Sequence, residues 1–453
     1  MRLHQGILLW VLALPVLAGA GFTQAGRRPT PRTWTRTYGG PFAEGLLDLR
    51  QAPDGSVRAA AWTDSFGASG AGGWLLHLDA VDGEPQLERV CSNAASGVVD
   101  GAGLAADGGA LFTGRTVVDL FTRHDGWVVR VDARGDVVWS RGFTRKGFGR
   151  HFLFDAAELA DGSWIAAGAT SLVDRPPQAA WLVRLTRDGG LDWQYEYGGG
   201  VADSAVAVVA TSDGGFVVAG ATNSSGSGAD DAWIMKVDSA GVIEWQRTYG
   251  GSDQDQATAV VELGSGGFAV AAYTNSFTAS GHAPWVLRLN AGGELLWHAV
   301  VGDGEWGDLY SVAETRDGQV IALGRVSQTG YPTNDLWAVK LAAADGAVLW
   351  QRAYAGDSGD WGSVVLPLST GGLLLGGTWG WGFPEEELWL LHTDSSGRLP
   401  GCGLMRDTAF VITRPLAGAQ AGVAVRRPAG AMPQATSFDV APGKASVVDR
   451  CSR

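Results

Sequence analysis

The sequence predicts an all-β fold, a seven-bladed β-propeller whose blades are four-stranded antiparallel sheets. Three markers recur at steps of 52 to 54 residues and together define seven units. The first is a tryptophan in the third strand of each unit, at Trp74, Trp127, Trp181, Trp233, Trp285, Trp337 and Trp389. The second is the leading glycine of a tight turn, at Gly55, Gly108, Gly162, Gly214, Gly266, Gly318 and Gly371. The third is a fourth-strand residue, at Trp34, Leu87, Trp139, Trp193, Trp245, Trp297 and Trp350. Four antiparallel strands at such a period are typical of propeller blades.

The unit around residue 230 displays the four strands most clearly. Alternation and turn residues predict strand A over residues 205–211, strand B over 216–222, strand C over 232–237 and strand D over 242–248. Asp213-Gly214-Gly215 joins strands A and B, and a four-residue segment ending at Gly241 joins strands C and D. Both connections are short enough for tight hairpin turns, in which glycine takes a positive φ.

The two ends of the repeat region predict how the ring closes. The last unit has strands A, B and C but stops at Leu399-Pro400, where strand D should continue. Residues 33–38 have the pattern of a strand D with no A, B or C before them. We therefore expect this N-terminal strand to complete the last blade, which removes an open sheet edge. The propeller then covers residues 33–402, and a C-terminal tail covers 403–453.

The N-terminus predicts export. Arg2 precedes an apolar run over residues 7–17, and Ala18-Gly19-Ala20 supplies small residues for cleavage. This pattern is typical of a secretory signal peptide over residues 1–20, with cleavage after Ala25 as the alternative, and it is too short to span a membrane. No later apolar run has transmembrane length. We expect a secreted or periplasmic protein without a membrane span.

Composition argues against one class of partner. The 68 glycines and the 18% of charged residues fit a turn-rich β protein. The net charge of −13 argues against nucleic-acid binding, which needs a basic surface to displace counterions from phosphates. An acidic surface favours solubility, and we expect a monomer.

The cysteines predict one disulfide. Cys402 and Cys451 bracket the segment outside the repeats, so they are the plausible pair in an exported protein. The bond would stabilise the fold by roughly 4 kcal/mol through chain entropy. The tail between them forms either a short hairpin against the ring or an extended strap. Cys91 stands where other units carry tyrosine, such as Tyr38 or Tyr249, and is expected to be a small buried hydrophobe.

The units resemble the tandem repeats of exported bacterial and archaeal β-propeller proteins. The resemblance rests on the motifs Asp-Gly-Gly, Asp-x-Trp and Trp-x-(Arg/Lys)-x-Tyr-Gly-Gly, which here are Asp213-Gly214-Gly215, Asp231-Ala232-Trp233 and residues 245–251. It covers about residues 33–402 and implies the propeller fold, with little information about function. The units do not carry the Gly-His and Trp-Asp pair of WD-type blades, and they match kelch units poorly.

An acidic residue recurs just before strand A, where the chain passes toward the axial channel. The series comprises Glu44, Asp203, Asp255, Asp308 and Asp360, with Gly97 and His151 interrupting it. A ring of inward carboxylates could bind a hard cation such as Ca²⁺, which takes several oxygen ligands. The alternative is that each carboxylate caps its local turn by accepting backbone N–H bonds. No other cofactor is predicted.

Aromatic residues break the repeat near the last blades. They lie in the B-to-C connection of the last unit and in the D-to-A loops that precede the last two blades. The set comprises Trp306, Trp361, Trp379, Trp381 and Phe383, with Phe42 and Phe66 of the first blade beside them. Because these loops share one face of a propeller, we expect a cluster on one sector of that face. It either binds a sugar ring or an apolar patch of a protein partner, or packs under the tail or the closure seam.

The sequence contains no catalytic motif. Gly-x-Ser-x-Gly, His-Glu-x-x-His and His-x-x-x-His are absent, and the 7 histidines are scattered singly. We therefore predict a binding or scaffold module that recognises polysaccharide or a protein partner through its loop-rich face. The alternative is an extracellular carbohydrate-active or quinoprotein-like enzyme with its site at the channel mouth. Such a site would draw residues from separate blades and leave no local motif.

Overall fold

The computed structural model describes the propeller and parts of the tail. The described residues are 33–66, 71–92, 97–119, 123–144, 149–172, 175–278, 281–301, 306–327, 334–356, 359–380, 386–408, 410, 412–413, 418–421, 425–428, 432–434, 439–442, 446–449 and 451. Within these ranges, no helix has the length and hydrophobicity needed to cross a membrane.

The first four blades follow the predicted pattern of four consecutive antiparallel strands. Blade 1 contains β2 (Glu44–Gln51), β3 (Val57–Thr63), β4 (Gly72–Leu78) and β5 (Pro85–Ser92). Blade 2 contains β6 (Gly97–Leu104), β7 (Ala110–Asp119), β8 (Arg123–Val131) and β9 (Val137–Thr144). Blade 3 contains β10 (Gly149–Glu158), β11 (Trp164–Leu172), β12 (Arg175–Leu185) and β13 (Leu191–Gly198). Blade 4 contains β14 (Asp203–Ala210), β15 (Phe216–Thr222), β16 (Asp231–Val237) and β17 (Ile243–Gly250).

The remaining three blades include the one that joins the two ends of the ring. Blade 5 contains β18 (Asp255–Glu262), β19 (Phe268–Thr274), β20 (Ala283–Leu289) and β21 (Leu295–Val301). Blade 6 contains β22 (Gly307–Glu314), β23 (Val320–Ser327), β24 (Asn334–Leu341) and β25 (Val348–Tyr354). Blade 7 contains β26 (Trp361–Pro367), β27 (Leu373–Trp379), β28 (Glu387–Thr393) and, as its fourth strand, β1 (Trp34–Gly39).

The core lies between blades. All residues of the middle strands β15 and β16 are buried, whereas the outer strand β17 has several partly exposed residues. The middle strands are enclosed on both faces because a neighbouring blade packs against each side. The third-strand tryptophans fill these spaces, as Trp285 of blade 5 does beside Val217 and Ala219 of blade 4. Each buried indole of this kind contributes a large apolar area.

The N-terminal strand completes blade 7, as predicted. β1 pairs antiparallel with β28, from Trp34 opposite His392 to Tyr38 opposite Leu388. Blade 7 also bonds to blade 1, because the backbone N–H of Ser369 donates to Gln51 Oε1 at 2.7 Å. Internal blades use the same contact, as when the N–H groups of Ser212 and Gly264 donate to glutamates at the end of the next strand A. The junction between blades 7 and 1 therefore has the same hydrogen bond as the junctions between internal blades.

Tyrosines of strand D join blades 3, 4, 6 and 7 to the next blade in the ring. Tyr38, Tyr197 and Tyr354 donate their hydroxyls to the carbonyls of turn glycines in the following blade at 2.6–2.8 Å. Blade 1 has Cys91 at this position, and the thiol is buried and free. Burial raises the pKa of Cys91 to about 12, so this thiol is a packing group rather than a nucleophile.

The described strands of the C-terminal tail lie along the ring as an extended strap rather than a hairpin, and those within residues 405–449 are here called the C-terminal belt. Its strands are β29 (Met405–Asp407), β30 (Ile412–Thr413), β31 (Gly418–Ala421), β32 (Val425–Pro428), β33 (Met432–Gln434), β34 (Asp439–Pro442) and β35 (Ser446–Asp449). They pair antiparallel, in that order, with the outer strands β25, β21, β17, β13, β9, β5 and β1. The belt thus adds a fifth strand to every blade and covers every outer edge that would otherwise be open.

A disulfide fastens the two ends of the belt. Cys402 and Cys451 are bonded and lie 49 positions apart in sequence, and this is the pair that the sequence indicates. At the start of the belt, Trp337 Nε1 donates to Thr408 Oγ1 at 3.3 Å, and Gln351 Nε2 donates to the carbonyl of Phe410 at 3.0 Å. The belt begins on blade 6 and ends on blade 7, so the bond closes a loop of chain around the ring.

Candidate functional site at the channel mouth

A β-bulge interrupts strand A of every blade near the loop-rich face. We call the extra residue of each bulge the bulge position. The residue two places before it is the strand-A position, and the residue paired with that one on strand B is the strand-B position. Together these three are the mouth positions. The strand-A positions are Gly45, Val98, Phe152, Ser204, Gln256, Asp308 and Trp361. The strand-B positions are Trp62, Arg115, Ala169, Ala221, Tyr273, Arg325 and Thr378. The bulge positions are Leu47, Asp100, Phe154, Val206, Thr258, Tyr310 and Ser363.

These mouth positions differ from the packing positions in how they vary between blades. The third-strand position is tryptophan in all seven blades, since the space between blades requires it. The mouth positions range from glycine to tryptophan and include two arginines and two aspartates. Because blade packing does not dictate these side chains, they are the part of the repeat that is free to carry function.

Arg325 forms the centre of the mouth cluster in blades 6 and 7. Its guanidinium carbon lies 4.6 Å from the ring centroid of Trp306 and 4.9 Å from that of Trp361. Both distances fit cation–π contacts. Arg325 Nε and one terminal nitrogen also donate to Asp308 Oδ2 at 3.0 and 2.7 Å. The arginine is held between two indole rings and fixed by a carboxylate, so its orientation is well defined.

His282 extends this cluster into blade 5. Its ring stacks on Trp306 with centroids 5.3 Å apart and an interplanar angle of 20°, and it lies 3.9 Å from the ring of Tyr273. Its Nε2 pairs with Asp308 Oδ1, and its Nδ1 is 3.0 Å from Asn275 Oδ1. The rings of Tyr273, His282 and Trp306 therefore lie one against the next beside Asp308, and Arg325 links them to Trp361 of blade 7.

Asp308 is ionised and Tyr310 is protonated in this arrangement. Burial by itself would raise the pKa of Asp308, but hydrogen bonds and charge from His282 and Arg325 outweigh burial and lower that pKa. Tyr310 donates its hydroxyl to Asp308 Oδ2 at 3.0 Å. Burial and the nearby carboxylate raise the pKa of Tyr310, which keeps its proton in place.

A cavity of about 190 Å³ opens beside this cluster. Trp62 of blade 1, Tyr310 of blade 6 and Trp361 of blade 7 provide its aromatic walls, and Ser363 and Thr378 contribute hydroxyls. Tyr310 is 36% exposed, and Trp306 of the adjoining cluster is 41% exposed. The arrangement offers flat apolar surfaces with a few fixed polar groups, which is the usual character of a small-ligand site.

The predicted aromatic set is brought together only in part. Trp306 and Trp361 meet at Arg325. Trp379 instead packs on the core, with its ring 4.9 Å from that of Trp389 and edge-on to it. Trp381 and Phe383 lie outside the described residues.

The two aromatics of blade 1 are arranged differently from each other. Phe42 is exposed, whereas Phe66 packs with its ring 5.5 Å from that of Trp74. Neither of them lines the cavity at the mouth.

Four members of the acidic series cap their local loops. Glu44, Asp203, Asp255 and Asp360 are buried, and each accepts a backbone N–H from the glycine four residues earlier. Asp203 also accepts the hydroxyls of Thr222 and Ser224. In the part of the chain that the structure describes, no three His, Cys, Asp or Glu side chains are grouped as metal ligands would be.

Asp308 does not belong with the other four. It occupies the strand-A position opposite Arg325, whereas Asp203 lies one residue earlier in the register, opposite Thr222. A shift of one residue along a strand turns the side chain to the opposite face. Asp308 therefore faces His282 and Arg325 instead of capping a loop.

Sequence reasoning missed Arg325, His282, Tyr310 and Trp62. A signal was present, because aligning the units on their glycine turns shows arginine or an aromatic where other units have alanine or threonine. Recognising the bulge was necessary to see that these residues share one side of the sheet, and nothing in the strand-A sequences marks the bulge.

Deeper in the channel, a second cavity of about 410 Å³ is lined by Asp48 and Asp155. Asp48 accepts the backbone N–H groups of Leu49 and Leu104, and Asp155 accepts those of Ala156 and Val208, all at 2.8–2.9 Å. Burial raises the pKa of Asp48 to about 6, and burial together with the Asp48 charge raises that of Asp155 to about 8. Both carboxyls tie the inner strand of one blade to that of the next.

Comparisons with known proteins show likeness in fold only. No protein-family model and no curated protein matches this chain. A protein of unknown function from Dyadobacter fermentans is similar with a TM-score of 0.45 and 10% identity, over 67% of this chain and 99% of that chain. NanB sialidase from Streptococcus pneumoniae is similar with a TM-score of 0.41 and 10% identity, over 81% and 69%. Sqt1 from Chaetomium thermophilum is similar with a TM-score of 0.40 and 12% identity, over 79% and 92%.

Proposed function

We propose that this chain is an exported binding module that recognises a saccharide at the channel mouth. The observation that carries the proposal is the cavity enclosed by Trp62, Tyr310 and Trp361. Three aromatic side chains from three separate blades converge on it, although blade packing requires none of them at those positions.

The side chains at the mouth have the chemistry that a sugar ring requires. The C–H face of a pyranose packs on flat indole and phenol rings, which bury apolar area with little loss of conformational entropy. Hydroxyl groups of the sugar need fixed donors and acceptors. The hydroxyls of Ser363 and Thr378 supply them within the cavity lining, next to the Tyr310 hydroxyl that Asp308 holds in place.

A saccharide suits this site better than a protein partner. Protein partners are usually bound on broad surfaces with a central apolar patch, whereas small ligands occupy concave pockets. The mouth is concave and its aromatic walls are separated by polar groups. Of the two partners that the sequence suggests, polysaccharide and protein, the geometry therefore supports polysaccharide.

Export is part of the proposal. The expected signal peptide over residues 1–20 and the resemblance to exported tandem-repeat propellers both favour a secreted or periplasmic location. The Cys402–Cys451 disulfide is consistent with an oxidising compartment. Surface polysaccharide is accessible from there.

The alternative function is an extracellular carbohydrate-active or quinoprotein-like enzyme with its site at the channel mouth. A glycosidase of that kind needs two carboxyls that can transfer protons near the scissile bond. Asp48 and Asp155 have raised pKa values, but each uses both carboxyl oxygens to accept backbone N–H groups. The carboxyls of Asp48 and Asp155 thus hold inner strands together, and this structural role favours a binding function over a catalytic one.

A glycan array probed with the chain lacking residues 1–20 tests the proposal. We expect the mature protein to bind a subset of glycans. Trp361→Ala should lose affinity by at least about ten-fold, since removal of a stacked aromatic at a binding site typically weakens binding by about 1–2 kcal/mol or more. Ser204→Ala changes the same strand-A position in blade 4 and is the matched control. Retention of full affinity by Trp361→Ala would refute the proposed site, and binding to no glycan would refute the function.

A further inference from the structure

Blades 2 and 3 repeat the arrangement found in blades 6 and 7. Arg115 occupies the strand-B position of blade 2, as Arg325 does in blade 6. Its guanidinium carbon lies 5.2 Å from the ring centroid of Phe152. Phe152 occupies the strand-A position of blade 3, as Trp361 does in blade 7. In both places, an arginine of one blade lies over the aromatic ring at the same position of the next blade.

The neighbouring groups also correspond in kind. Asp100 pairs with Arg115 from the bulge position of blade 2, whereas Asp308 pairs with Arg325 from the strand-A position of blade 6. His124 lies edge-on to Phe152 at 5.5 Å.

The histidines of the two clusters occupy equivalent places. Asp125, which follows His124, pairs with Thr116, and Ala283, which follows His282, pairs with Thr274. His124 and His282 therefore stand at the same point of their units. The two clusters share an arginine, a carboxylate, a histidine and an aromatic at related positions of the repeat.

Phe154 gives the second cluster a flat platform. It occupies the bulge position of blade 3, which is the position of Tyr310 in blade 6. The rings of Phe152 and Phe154 stack with centroids 5.7 Å apart and an interplanar angle of 9°. Both side chains are partly exposed, and the side chain of Arg115 is 25% exposed. Two parallel rings at the mouth with a fixed arginine beside them have the same chemistry as the first site.

Blade 4 lies between blade 3 and blade 5, into which His282 and Tyr273 extend the first cluster, and it carries nothing comparable. In blade 4, the mouth positions are Ser204, Val206 and Ala221. If these aromatics were required to pack the ring, blade 4 would need them as well. Blades 2 and 3 lie nearly opposite blades 6 and 7 in a ring of seven, so the clusters face one another across the channel mouth.

We infer that the platform of Phe152 and Phe154 with Arg115 is a second sugar-binding position, and that the ligand is a polysaccharide chain lying across the channel mouth. This inference rests on the proposed function. One sugar unit occupies the cavity at Trp361, and another, further along the same chain, stacks on Phe154. Short oligosaccharides reach only one position, whereas long ones reach both and gain affinity because the second contact is intramolecular.

Isothermal titration calorimetry with ladders of cello-, manno-, xylo- and N-acetylchito-oligosaccharides, from two to eight units, tests the inference. For a series that binds, we expect a step of about ten-fold or more in affinity once the chain is long enough to join the two positions. This step is measured on the unaltered mature protein, so it does not depend on whether any variant folds.

Substitutions then locate the second position. Phe154→Ala should remove the step and leave the affinity for the shortest bound member within about two-fold, since that member occupies the first position. Val206→Ala, at the same bulge position of blade 4, should leave the whole ladder unchanged. Trp361→Ala should weaken every member.

The outcomes separate the two proposals. A binding series without a length step, or a step that persists in folded Phe154→Ala, overturns the second position and leaves the first site standing. An absence of binding in all four ladders and on the array refutes the proposed function, and the inference falls with it.

Discussion

Opening the disulfide that fastens the C-terminal belt should destabilise the whole ring. The paired variant Cys402→Ser with Cys451→Ser removes a bond that closes 49 residues of chain. In the folded protein the belt remains paired to all seven outer strands, so the native state loses few contacts. The unfolded chain gains freedom, because its C-terminal segment no longer has to form a loop.

The size of the effect follows from the loop length. Closing a loop of this length reduces the entropy of the unfolded chain by an amount equivalent to roughly 4 kcal/mol at 25 °C. A propeller of about 370 residues unfolds with an entropy near 0.8 kcal/mol/K, because each residue contributes about 2.1 cal/mol/K. The melting temperature should therefore fall by roughly 5 °C.

Differential scanning calorimetry of the oxidised, reduced and doubly substituted proteins measures this fall. Reduction of the native protein and the double substitution should give the same lower melting temperature, and reductant should have no effect on the double variant. Cys91 is buried with a pKa raised to about 12, so it should not take part in exchange. A melting temperature that stays within about 1 °C of the oxidised protein would refute the loop-entropy reasoning.

Three further perturbations test the seam, the turns and the channel. A chain that begins at Gly39 lacks the strand that completes blade 7, so it should have a lower melting temperature and should associate in light scattering. A melting temperature equal to that of the mature protein would contradict closure by β1. Gly241→Ala should lower the free energy of unfolding in urea by at least about 1 kcal/mol more than Gly214→Ala. Both glycines have positive φ, but a methyl group at 241 would lie 2.9 Å from the Tyr197 hydroxyl, whereas nothing lies within 4 Å at 214. Asp155 has a pKa raised from 3.8 to about 8 by burial, so the native protein should lose stability as pH rises from about 4 through 8. Asp155→Asn should flatten this dependence in melts from pH 4 to 9, and an unchanged slope would show that Asp155 is not its source.

The fold could be predicted because blade packing imposes the same residues seven times. The predicted strand B at 216–222 has the bounds of β15, and the predicted strand D at 242–248 differs from β17 (Ile243–Gly250) by one residue at the start and two at the end. Turn glycines with positive φ, such as Gly214 and Gly241, set these bounds. The strong periodic signal was therefore sufficient for the number of blades and for the closing strand.

The belt could not be predicted from the tail. Its strands are two to four residues long, and each pairs with a strand that is distant in sequence. Segments of that length have too few residues for a period of two to be recognised. The cysteines indicated that the tail is fastened at both ends. A single sequence does not reveal that strands between them pair with the outer strand of every blade.

The mouth cluster was only partly predictable because it depends on register. Trp306 and Trp361 stood out as departures from the repeat, whereas Arg325 and His282 did not. The sequence groups Asp308 in one acidic series with Asp203 and Asp255, although one residue of register turns it to the other face of the strand. The bulge that sets this register has no distinct sequence marker.

A crystal structure of the mature protein with a bound oligosaccharide tests most directly where this propeller binds. The crystals would be soaked with the hexamer of whichever ladder binds in calorimetry. We expect a sugar ring in the cavity against Trp361 and Tyr310, with its hydroxyls within hydrogen-bond distance of Ser363 or Thr378. An oligosaccharide bound on the belt or on the face of the A-to-B turns, with the mouth empty, would contradict the proposed site.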